Sequence, residues 1–321
     1  MPPNSIAAVV LTRNRLALLQ RCMAALRAQT RPLDAIIVVD NGSTDGTREW
    51  LAGESDVRVI QQENLGCAGG FYTGMKAGYD QGYDWLWCQD DDGCPAPDCL
   101  QQLTEINHPN LWYRAPLVID EENHARLAFG LRLPEVLPFG MKVAQDRPLL
   151  TTRAEAVAAA TGGLIVGAAC PYNGILIHHR VFEAIGFPLR EIFLFGDEVE
   201  FTCRACRAGF VATTCVRALY FHHADRMAAQ QFRFLGRTLS ISHIGTPQVS
   251  FAMLDYLVVR NQAYVYRVYY GWWRAMKHTA RYAVFYLSQR RFAAACAAFR
   301  AGLAGMFGAL NGHKKFFTRK Q

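Results

Sequence analysis

The sequence predicts an α/β protein whose doubly wound, mostly parallel sheet is followed by a basic α-helical C-terminal region. Three observations support this prediction. Apolar runs alternate with helical patterns in the N-terminal part, polar clusters follow three predicted strands, and the C-terminal part is rich in cations and aromatic side chains. We therefore expect residues 1–225 to form one domain and residues 226–321 to form a separate helical region.

The N-terminal part carries a β-α-β-α order. Residues 7–11 and 35–39 are continuously apolar, as expected of strands that helices cover on both faces. Consecutive β-α-β units place their strands in parallel, so this order predicts a parallel, doubly wound sheet. The predicted strands are 7–11, 35–39, 57–60 and 85–88, and the predicted helices between them are 15–28, 47–51 and 71–81.

Polar side chains follow three of these strands directly. The clusters are Thr12-Arg13-Asn14, Asp40-Asn41 and Asp90-Asp91-Asp92. In open parallel sheets, ligands bind beyond the carboxyl ends of the strands. The sequence therefore predicts a binding site assembled from strand ends.

The run Asp90-Asp91-Asp92 is the strongest chemical feature. Three adjacent acids repel one another and favour a partner cation, and carboxylate oxygens are ligands that Mg²⁺ or Mn²⁺ prefers. Side chains alternate in extended backbone, so Asp90 and Asp92 are expected to share a face. A solvated acidic turn is the alternative interpretation.

The formal net charge of +7 conceals two regions of opposite charge. Residues 226–321 carry 15 Lys/Arg and one acid, a net +14, whereas residues 1–225 carry 19 Lys/Arg and 26 acids, a net −7. The basic region also holds 18 aromatic residues. This mixture favours an anionic interface, either a membrane or nucleic acid, although helix packing also accounts for many of the aromatics. No recognisable nucleic-acid-binding motif accompanies the cations.

The expected location is the cytosol. The start Met1-Pro2-Pro3-Asn4 has no basic segment followed by an apolar one, so we expect no signal peptide. The 10 cysteines lack the short regular spacing of a disulfide framework. Residues 156–179 are uncharged but are interrupted by Gly162-Gly163, which argues against a membrane span.

Four elements, in this order, resemble the family 2 nucleotide-sugar glycosyltransferases of the GT-A fold. They are the first strand with Thr12-Arg13-Asn14, the segment VVDNGSTDGT at 38–47, the acids at 90–92, and FGDEVEF at 195–201. A narrower resemblance, to bacterial galactofuranosyltransferases with rhamnosyltransferases next, rests on ENLGCAGGFYTGM at 63–75 and YDWLWCQDDDG at 83–93. Cys67 stands where those enzymes usually have glycine.

The resemblance implies a set of donor-binding residues. Asp40 and Asn41 would read the nucleotide base, and Asn64 would lie near the ribose or phosphate. The glycines would let the backbone approach the donor closely. The full set is Thr12, Arg13, Asp40, Asn41, Asn64, Gly69, Gly70 and Asp91.

The resemblance also implies a metal site and a general base. Asp90, Asp92 and His222 would hold Mn²⁺ or Mg²⁺ at the diphosphate, and the imidazole favours Mn²⁺. The acceptor hydroxyl must lose a proton as it attacks, and the family keeps its base at the second acid of a pair. This pattern assigns the base to Glu198. Asp197 stays a candidate because the family more often has aspartate at that position.

These residues together predict a metal-dependent inverting enzyme. It would transfer galactofuranose from UDP-galactofuranose to a polyprenyl-diphosphate-linked glycan in cell-surface polysaccharide synthesis. The alternatives are a rhamnosyltransferase using dTDP-rhamnose and a non-catalytic protein that binds a sugar nucleotide or a glycan. We expect the basic region to bind the anionic inner face of the plasma membrane rather than nucleic acid, and paired basic regions would form a homo-oligomer.

Overall fold

The structure is a computed structural model that describes residues 4–106, 110–132, 149–169, 172–224, 229–234, 236–242 and 251–316. The chain divides into two compact units. The first unit consists of Met1–Pro188 and Phe201–Asp225, and the second unit consists of Leu189–Glu200 and Arg226–Gln321. The predicted domain boundary between residues 225 and 226 lies outside the described residues and stays a prediction.

Strands dominate the first unit. The first four strands alternate with helices, as the apolar runs predict. In chain order the strands of this unit are β1 (Ile6–Thr12), β2 (Ala35–Asp40), β3 (Val57–Gln61), β4 (Trp85–Asp90), β5 (Cys94–Pro95), β6 (Tyr113–Asp120), β7 (Arg126–Arg132), β8 (Leu149–Thr152), β9 (Leu164–Val166), β10 (Ile175–His178) and β11 (Ala212–His222).

Among the described residues, seven α-helices precede β11. The first three connect the parallel strands, and the seventh begins at the acidic pair predicted to supply the base. They are α1 (Leu16–Arg27), α2 (Thr47–Ala52), α3 (Gly66–Asp80), α4 (Cys99–Thr104), α5 (Arg153–Ala159), α6 (His179–Ile185) and α7 (Asp197–Arg207).

The strands of the first unit form one sheet of 11 strands. Its main order is β3-β2-β1-β4-β10-β6-β11-β5. The N-terminal strands β1 to β4 pair in parallel throughout, and β6 pairs in parallel with β11. The strand β10 joins antiparallel to both β4 and β6. The predicted α/β class with a mostly parallel central sheet is confirmed.

Helices cover both faces of this sheet. Ala8 of β1 packs in a cluster with Leu19 of α1, whereas its neighbour Val9 packs in the opposite cluster with Phe71 of α3. All four side chains are fully buried. Because both faces are covered, β1 needs apolar residues at every position, which explains its unbroken apolar run.

The second unit contains a hairpin that the sequence interpretation missed. Residues from 226 onward were expected to be helical, but β12 (Ala229–Phe234) and β13 (Arg237–Ser242) pair antiparallel. The cluster that includes Phe232, Ile241, Val258 and Phe285 joins this hairpin to the helices. Burial of alternate hairpin residues therefore prevails over the helical interpretation. The described residues 251–316 are mostly helical, as predicted.

Three helices make up most of the second unit: α8 (Phe251–Val265), α9 (Trp272–Ser288) and α10 (Phe292–Met306). A π-helical turn, Tyr266–Tyr270, connects α8 to α9. A side-chain carbon on Gly305 would collide with the backbone carbonyl of Arg260, so glycine is required where α10 crosses α8. Of the described helices, none is both long and apolar enough to cross a membrane.

Candidate active site

The polar ends of three parallel strands lie side by side in the first unit. Thr12 at the end of β1 is in register with Asp40 at the end of β2, and Leu11 is in register with Asp90 at the end of β4. The predicted assembly of polar groups from strand ends is therefore present. The acids Asp90, Asp91 and Asp92, termed the acid cluster below, lie at its centre.

Two side chains from the β1 end contact the acid cluster. The Thr12 hydroxyl donates to Asp91 Oδ2 at 2.8 Å. Arg15 Nη1 donates to Asp91 Oδ1 at 3.0 Å and to Asp92 Oδ2 at 2.6 Å. Arg15 is 41% exposed, whereas Asp91 is buried. One guanidinium therefore bridges two of the three carboxylates.

His222, the last residue of β11, contacts the acid cluster from the opposite direction. Its Nε2 lies 3.1 Å from Asp92 Oδ1, and its Nδ1 lies 2.7 Å from the carbonyl oxygen of His223. A carbonyl oxygen only accepts, so Nδ1 carries a hydrogen and Nε2 is the atom that faces the acids. Metal-binding histidines commonly have their second nitrogen held in this way.

Burial and mutual repulsion disfavour ionisation of two of the three acids. Burial and the charges of Asp92 and Asp91 raise the pKa of Asp90 well above its usual range. Burial also raises the pKa of Asp91 to about 6, although Arg15 opposes this effect. When all three acids are ionised, Arg15 and His222 supply two positive charges against three negative ones, so a further cation would balance the charge that remains.

The pair formed by Asp92 and His222 behaves differently. Burial favours the neutral form of both groups, but their mutual hydrogen bond and opposite charges outweigh it. As a result the pKa of Asp92 is lowered and the pKa of His222 is raised. His222 is therefore a second partner of Asp92, beside Arg15.

The predicted metal ligands Asp92 and His222 are in contact, and the third, Asp90, is the last residue of β4. Two carboxylates and an imidazole with Nε2 facing them suit a divalent cation. Even so, within the described ranges no three His, Cys, Asp or Glu side chains are already arranged to hold a metal ion. Arg15 contacts Asp92 Oδ2, so a cation bound to that oxygen would have to displace its guanidinium.

Tyr220 of β11 supports the turn that carries the acids. It is fully buried, and a side-chain carbon on Gly93 would collide with its phenol ring. Glycine after the three acids therefore lets this turn lie directly against the aromatic ring. The close packing fixes the backbone that presents Asp92.

Asp40 and Asn41 lie at the end of β2 and play distinct parts. Asp40 is fully buried; its Oδ1 accepts from the backbone N–H of Ser43 at 2.9 Å. Its Oδ2 has no hydrogen-bond partner among the described residues, and the nearest cation is Arg48 Nε at 3.6 Å. An unsatisfied, buried acceptor at a strand end suits a donor group of a ligand.

The amide of Asn41 is used within the chain. Its Oδ1 accepts from the N–H of Leu65 at 3.0 Å and from Gln62 Nε2 at 2.8 Å, and its Nδ2 donates to the carbonyl of Gly66 at 3.0 Å. Asn64 Oδ1 in turn accepts from the N–H of Gly66 at 3.0 Å. These bonds fix the start of α3 against the end of β2. Contact of Asn41 with a base would have to replace one of them and stays a prediction.

The glycines of α3 serve helix packing. Gly69 and Gly70 are buried, and side-chain carbons there would collide with Leu65 and Leu11 respectively. Close approach of α3 to β1 therefore accounts for Gly70 without a ligand. A direct donor contact by Gly69 or Gly70 stays a prediction.

The two arginines at the β1 end differ in their contacts. Arg13, which the resemblance assigns to the donor, is exposed and has no ion pair or hydrogen bond among the described residues. Arg15, which the sequence did not indicate as a site residue, forms ion pairs with Asp91 and Asp92. Its signal in the sequence is a cation three residues beyond the strand end, but a contact 76 residues away in the chain gives no local pattern.

The acids predicted to supply the base lie in the second unit. Asp197 and Glu200 are each only 1% exposed, whereas Glu198 is half-buried. Glu198 Oε2 accepts from the backbone N–H of Gly196 at 3.1 Å. Glu200 Oε1 accepts from the hydroxyl of Tyr269 at 2.7 Å. Of these three acids, Glu198 is the most accessible.

Comparison with known proteins identifies the class. The description "Glycosyl transferase family 2" matches residues 7–110. The chain is 35% identical over 221 residues to galactofuranosyltransferase GlfT1 of Mycolicibacterium smegmatis, which covers 68% of this chain and 70% of that protein. It is 36% identical over 228 residues to galactofuranosyltransferase GlfT1 of Mycobacterium tuberculosis, with the same coverage.

A solved structure, GalNAc-T7 with UDP, GalNAc and Mn²⁺, superposes with a TM-score of 0.52 at 14% identity. The match covers 87% of this chain and 50% of that one, and it supports the GT-A fold. Fold and family together define a glycosyltransferase. The chain belongs to glycosyl transferase family 2, and its curated relatives named above are galactofuranosyltransferases.

Proposed function

We propose that this family 2 glycosyltransferase is a metal-dependent, inverting galactofuranosyltransferase. It would transfer galactofuranose from UDP-galactofuranose to a polyprenyl-diphosphate-linked glycan. The identity of 35% to 36% with two galactofuranosyltransferases supports the sugar. The observation that carries the chemistry is the acid cluster at the end of β4, which Arg15 and His222 neutralise only in part.

The residues that would hold the metal are Asp90, Asp92 and His222. The imidazole favours Mn²⁺ over Mg²⁺, since Mg²⁺ prefers oxygen ligands. When bound, the ion supplies a Lewis acid that neutralises charge on the leaving nucleoside diphosphate. The unsatisfied Asp40 Oδ2 would accept a hydrogen bond from the uracil base, and Asp91 with Arg15 would stay beside the diphosphate as a polar wall.

Glu198 would act as the general base. It would take the proton from the acceptor hydroxyl as that oxygen attacks the anomeric carbon, so that configuration inverts in one displacement. Its partial exposure supports this role, because Asp197 and Glu200 are buried. The hydrogen bond from the N–H of Gly196 orients one oxygen of Glu198.

The helices α9 and α10 would bind the surface of an anionic membrane. Trp273 and Phe307 are 72% and 73% exposed, and Lys277 lies 5.7 Å from the Trp273 ring centroid. Between residues 272 and 309 the chain has no acid. Cations suit anionic lipid headgroups, and large exposed apolar side chains suit the acyl chains below them. The exposed apolar side chains here are Trp272, Trp273, Met276, Leu287, Phe292, Phe299 and Phe307.

The donor is tested by a panel of nucleotide sugars. Purified protein is incubated with UDP-galactofuranose, UDP-galactopyranose or dTDP-rhamnose, each with Mn²⁺, Mg²⁺ or EDTA, and release of the nucleoside diphosphate is measured. We expect release from UDP-galactofuranose with Mn²⁺ and none with EDTA. Preferred use of dTDP-rhamnose would make the protein a rhamnosyltransferase, and donor binding without any release would favour a non-catalytic role.

Arg15→Ala tests whether the guanidinium competes with the metal. In the absence of nucleotide we expect Mn²⁺ to bind about five-fold more tightly, since loss of a partly exposed ion pair removes about 1 kcal/mol of competition. Titration followed by electron paramagnetic resonance measures this directly. Arg13→Ala, which removes an exposed cation not bonded to the acids, should leave Mn²⁺ affinity unchanged. Weaker Mn²⁺ binding in Arg15→Ala would contradict the assignment.

Glu198→Gln tests the general base. We expect turnover to fall about 10²- to 10⁴-fold because the amide cannot accept the proton. The affinity for UDP, measured by calorimetry, should not change. Glu183→Gln, at an exposed acid on α6, is the matched control and should keep full activity. Loss of turnover in Asp197→Asn but not in Glu198→Gln would assign the base to Asp197 instead.

The double variant Trp273→Ala/Phe307→Ala tests the membrane surface. Burial of each aromatic side chain contributes about 1.5 kcal/mol or more, so we expect vesicle affinity to fall about 100-fold. Flotation with vesicles of phosphatidylglycerol and phosphatidylcholine measures binding. Val157→Ala, at an exposed apolar residue of the first unit, should float like the wild type. Equal flotation of the double variant would rule out this surface.

A further inference from the structure

The backbone in front of α7 is strained. After the 3₁₀ turn Arg190–Ile192, Phe193 has φ 69° and ψ −61°, Phe195 has φ 64°, and Gly196 has φ 92°. Positive φ at a bulky residue costs on the order of 1–3 kcal/mol and persists only where the surroundings hold it. This segment leads directly into Asp197 and Glu198. What holds it therefore determines where those acids lie.

A side-chain amide from α8 contacts three carbonyl groups of the segment. Asn261 Nδ2 lies 2.7 Å from the carbonyl oxygen of Phe195, 2.8 Å from that of Leu194 and 3.1 Å from that of Ile192. Asn261 is fully buried. An amide has two N–H groups, so one of them is shared between two carbonyls. The strained turn is thus folded around this side chain.

Arg260 orients that amide. Its Nε donates to Asn261 Oδ1 at 2.8 Å, which leaves Nδ2 facing the carbonyls, and its Nη2 donates to the carbonyl of Ile192 at 2.7 Å. Arg260 is fully buried and has no carboxylate partner among the residues the structure covers. Burial of an unpaired charge is costly unless it is hydrogen-bonded. The carbonyl groups offset that cost.

The contacts continue to Glu198. A side-chain carbon on Gly196 would lie 3.6 Å from Cβ of Asn261, and the N–H of Gly196 donates to Glu198 Oε2 at 3.1 Å. On the other side, Tyr269 from the π-helical turn after α8 donates to Glu200 at 2.7 Å. The same stretch of chain therefore holds the backbone before Glu198 and the side chain two residues after it.

We infer that Asn261, oriented by Arg260, is a positioning residue that fixes the carboxylate of Glu198 through the strained turn 192–196. The inference rests on the proposed role of Glu198 as the general base. Asn261 touches no reacting group itself. Its effect is on the rate of the chemical step rather than on the binding of the donor.

Asn261→Asp and Asn261→Ala test this inference. Aspartate keeps the shape of the side chain but replaces the Nδ2 amino group, which donates to the three carbonyls, with an oxygen that only accepts. Alanine removes the amide altogether. We expect kcat to fall about 100-fold in both, as for a base displaced by about 1 Å, with KM for the donor and affinity for UDP unchanged. Assays are run well below the melting temperature of each variant. Unchanged kcat in either folded variant would overturn the inference.

Thr279→Ala separates positioning from general stability. Thr279 of α9 is fully buried and packs against Gly302 of α10 rather than against the turn at 192–196. We expect this variant to lower the melting temperature of the protein while kcat stays at the wild-type value. A loss of kcat in Thr279→Ala equal to that in Asn261→Ala would mean that Asn261 has only a structural role.

A double-mutant cycle with Glu198→Gln completes the test. If Asn261 acts through Glu198, Asn261→Ala should not lower the residual rate of Glu198→Gln any further. A further drop of about 100-fold would overturn the inference. The two proposals fail differently: wild-type turnover in Glu198→Gln removes the proposed base, whereas an inactive Glu198→Gln with active Asn261 variants removes only the positioning role. A radiolabelled donor gives the sensitivity that the residual rates require.

Discussion

The repulsion among three consecutive carboxylates is the constraint on which the candidate site depends. Asp90 ends a buried strand, and Asp91 and Asp92 follow it directly, so their charges are poorly screened. The first unit offsets this repulsion with a hydroxyl and a guanidinium from the β1 end and an imidazole from the β11 end. These partners come from the ends of two strands of the same sheet, β1 and β11. The negative charge that remains is what equips the site for a cation.

Much of the fold could be predicted from the sequence because it follows from local patterns. Parallel strands covered on both faces must be continuously apolar, and β1 and β2 are. The hairpin β12–β13 could not be predicted in the same way. Its buried residues, such as Phe232 and Ile241, gain their burial from α8 and α9, which lie later in the chain. A short segment in which apolar and polar residues alternate indicates no particular structure unless the helices that cover it are known.

The candidate site was predicted in its composition more than in its contacts. The strand ends fix the positions of Thr12, Asp40 and Asp90, because register in a parallel sheet aligns them. The contact of Arg15 with the acid cluster depends on how α1 begins after the strand, which no local pattern specifies. The glycines of α3 illustrate the opposite case. A motif that suits ligand binding is explained at Gly70 by close helix packing.

The helical spacing of 197–200 explains why its acids are not equivalent. Asp197 and Glu200, three residues apart, share one face of α7, and both are buried. Glu198 is rotated from Asp197 by about 100° and stays partly exposed. A general base must reach its proton directly or through one water, so this rotation favours Glu198. The sequence DEVE alone does not indicate which face of α7 is buried. A residue far along the chain, Tyr269, contacts the buried face through its hydrogen bond to Glu200, and a local pattern does not contain that contact.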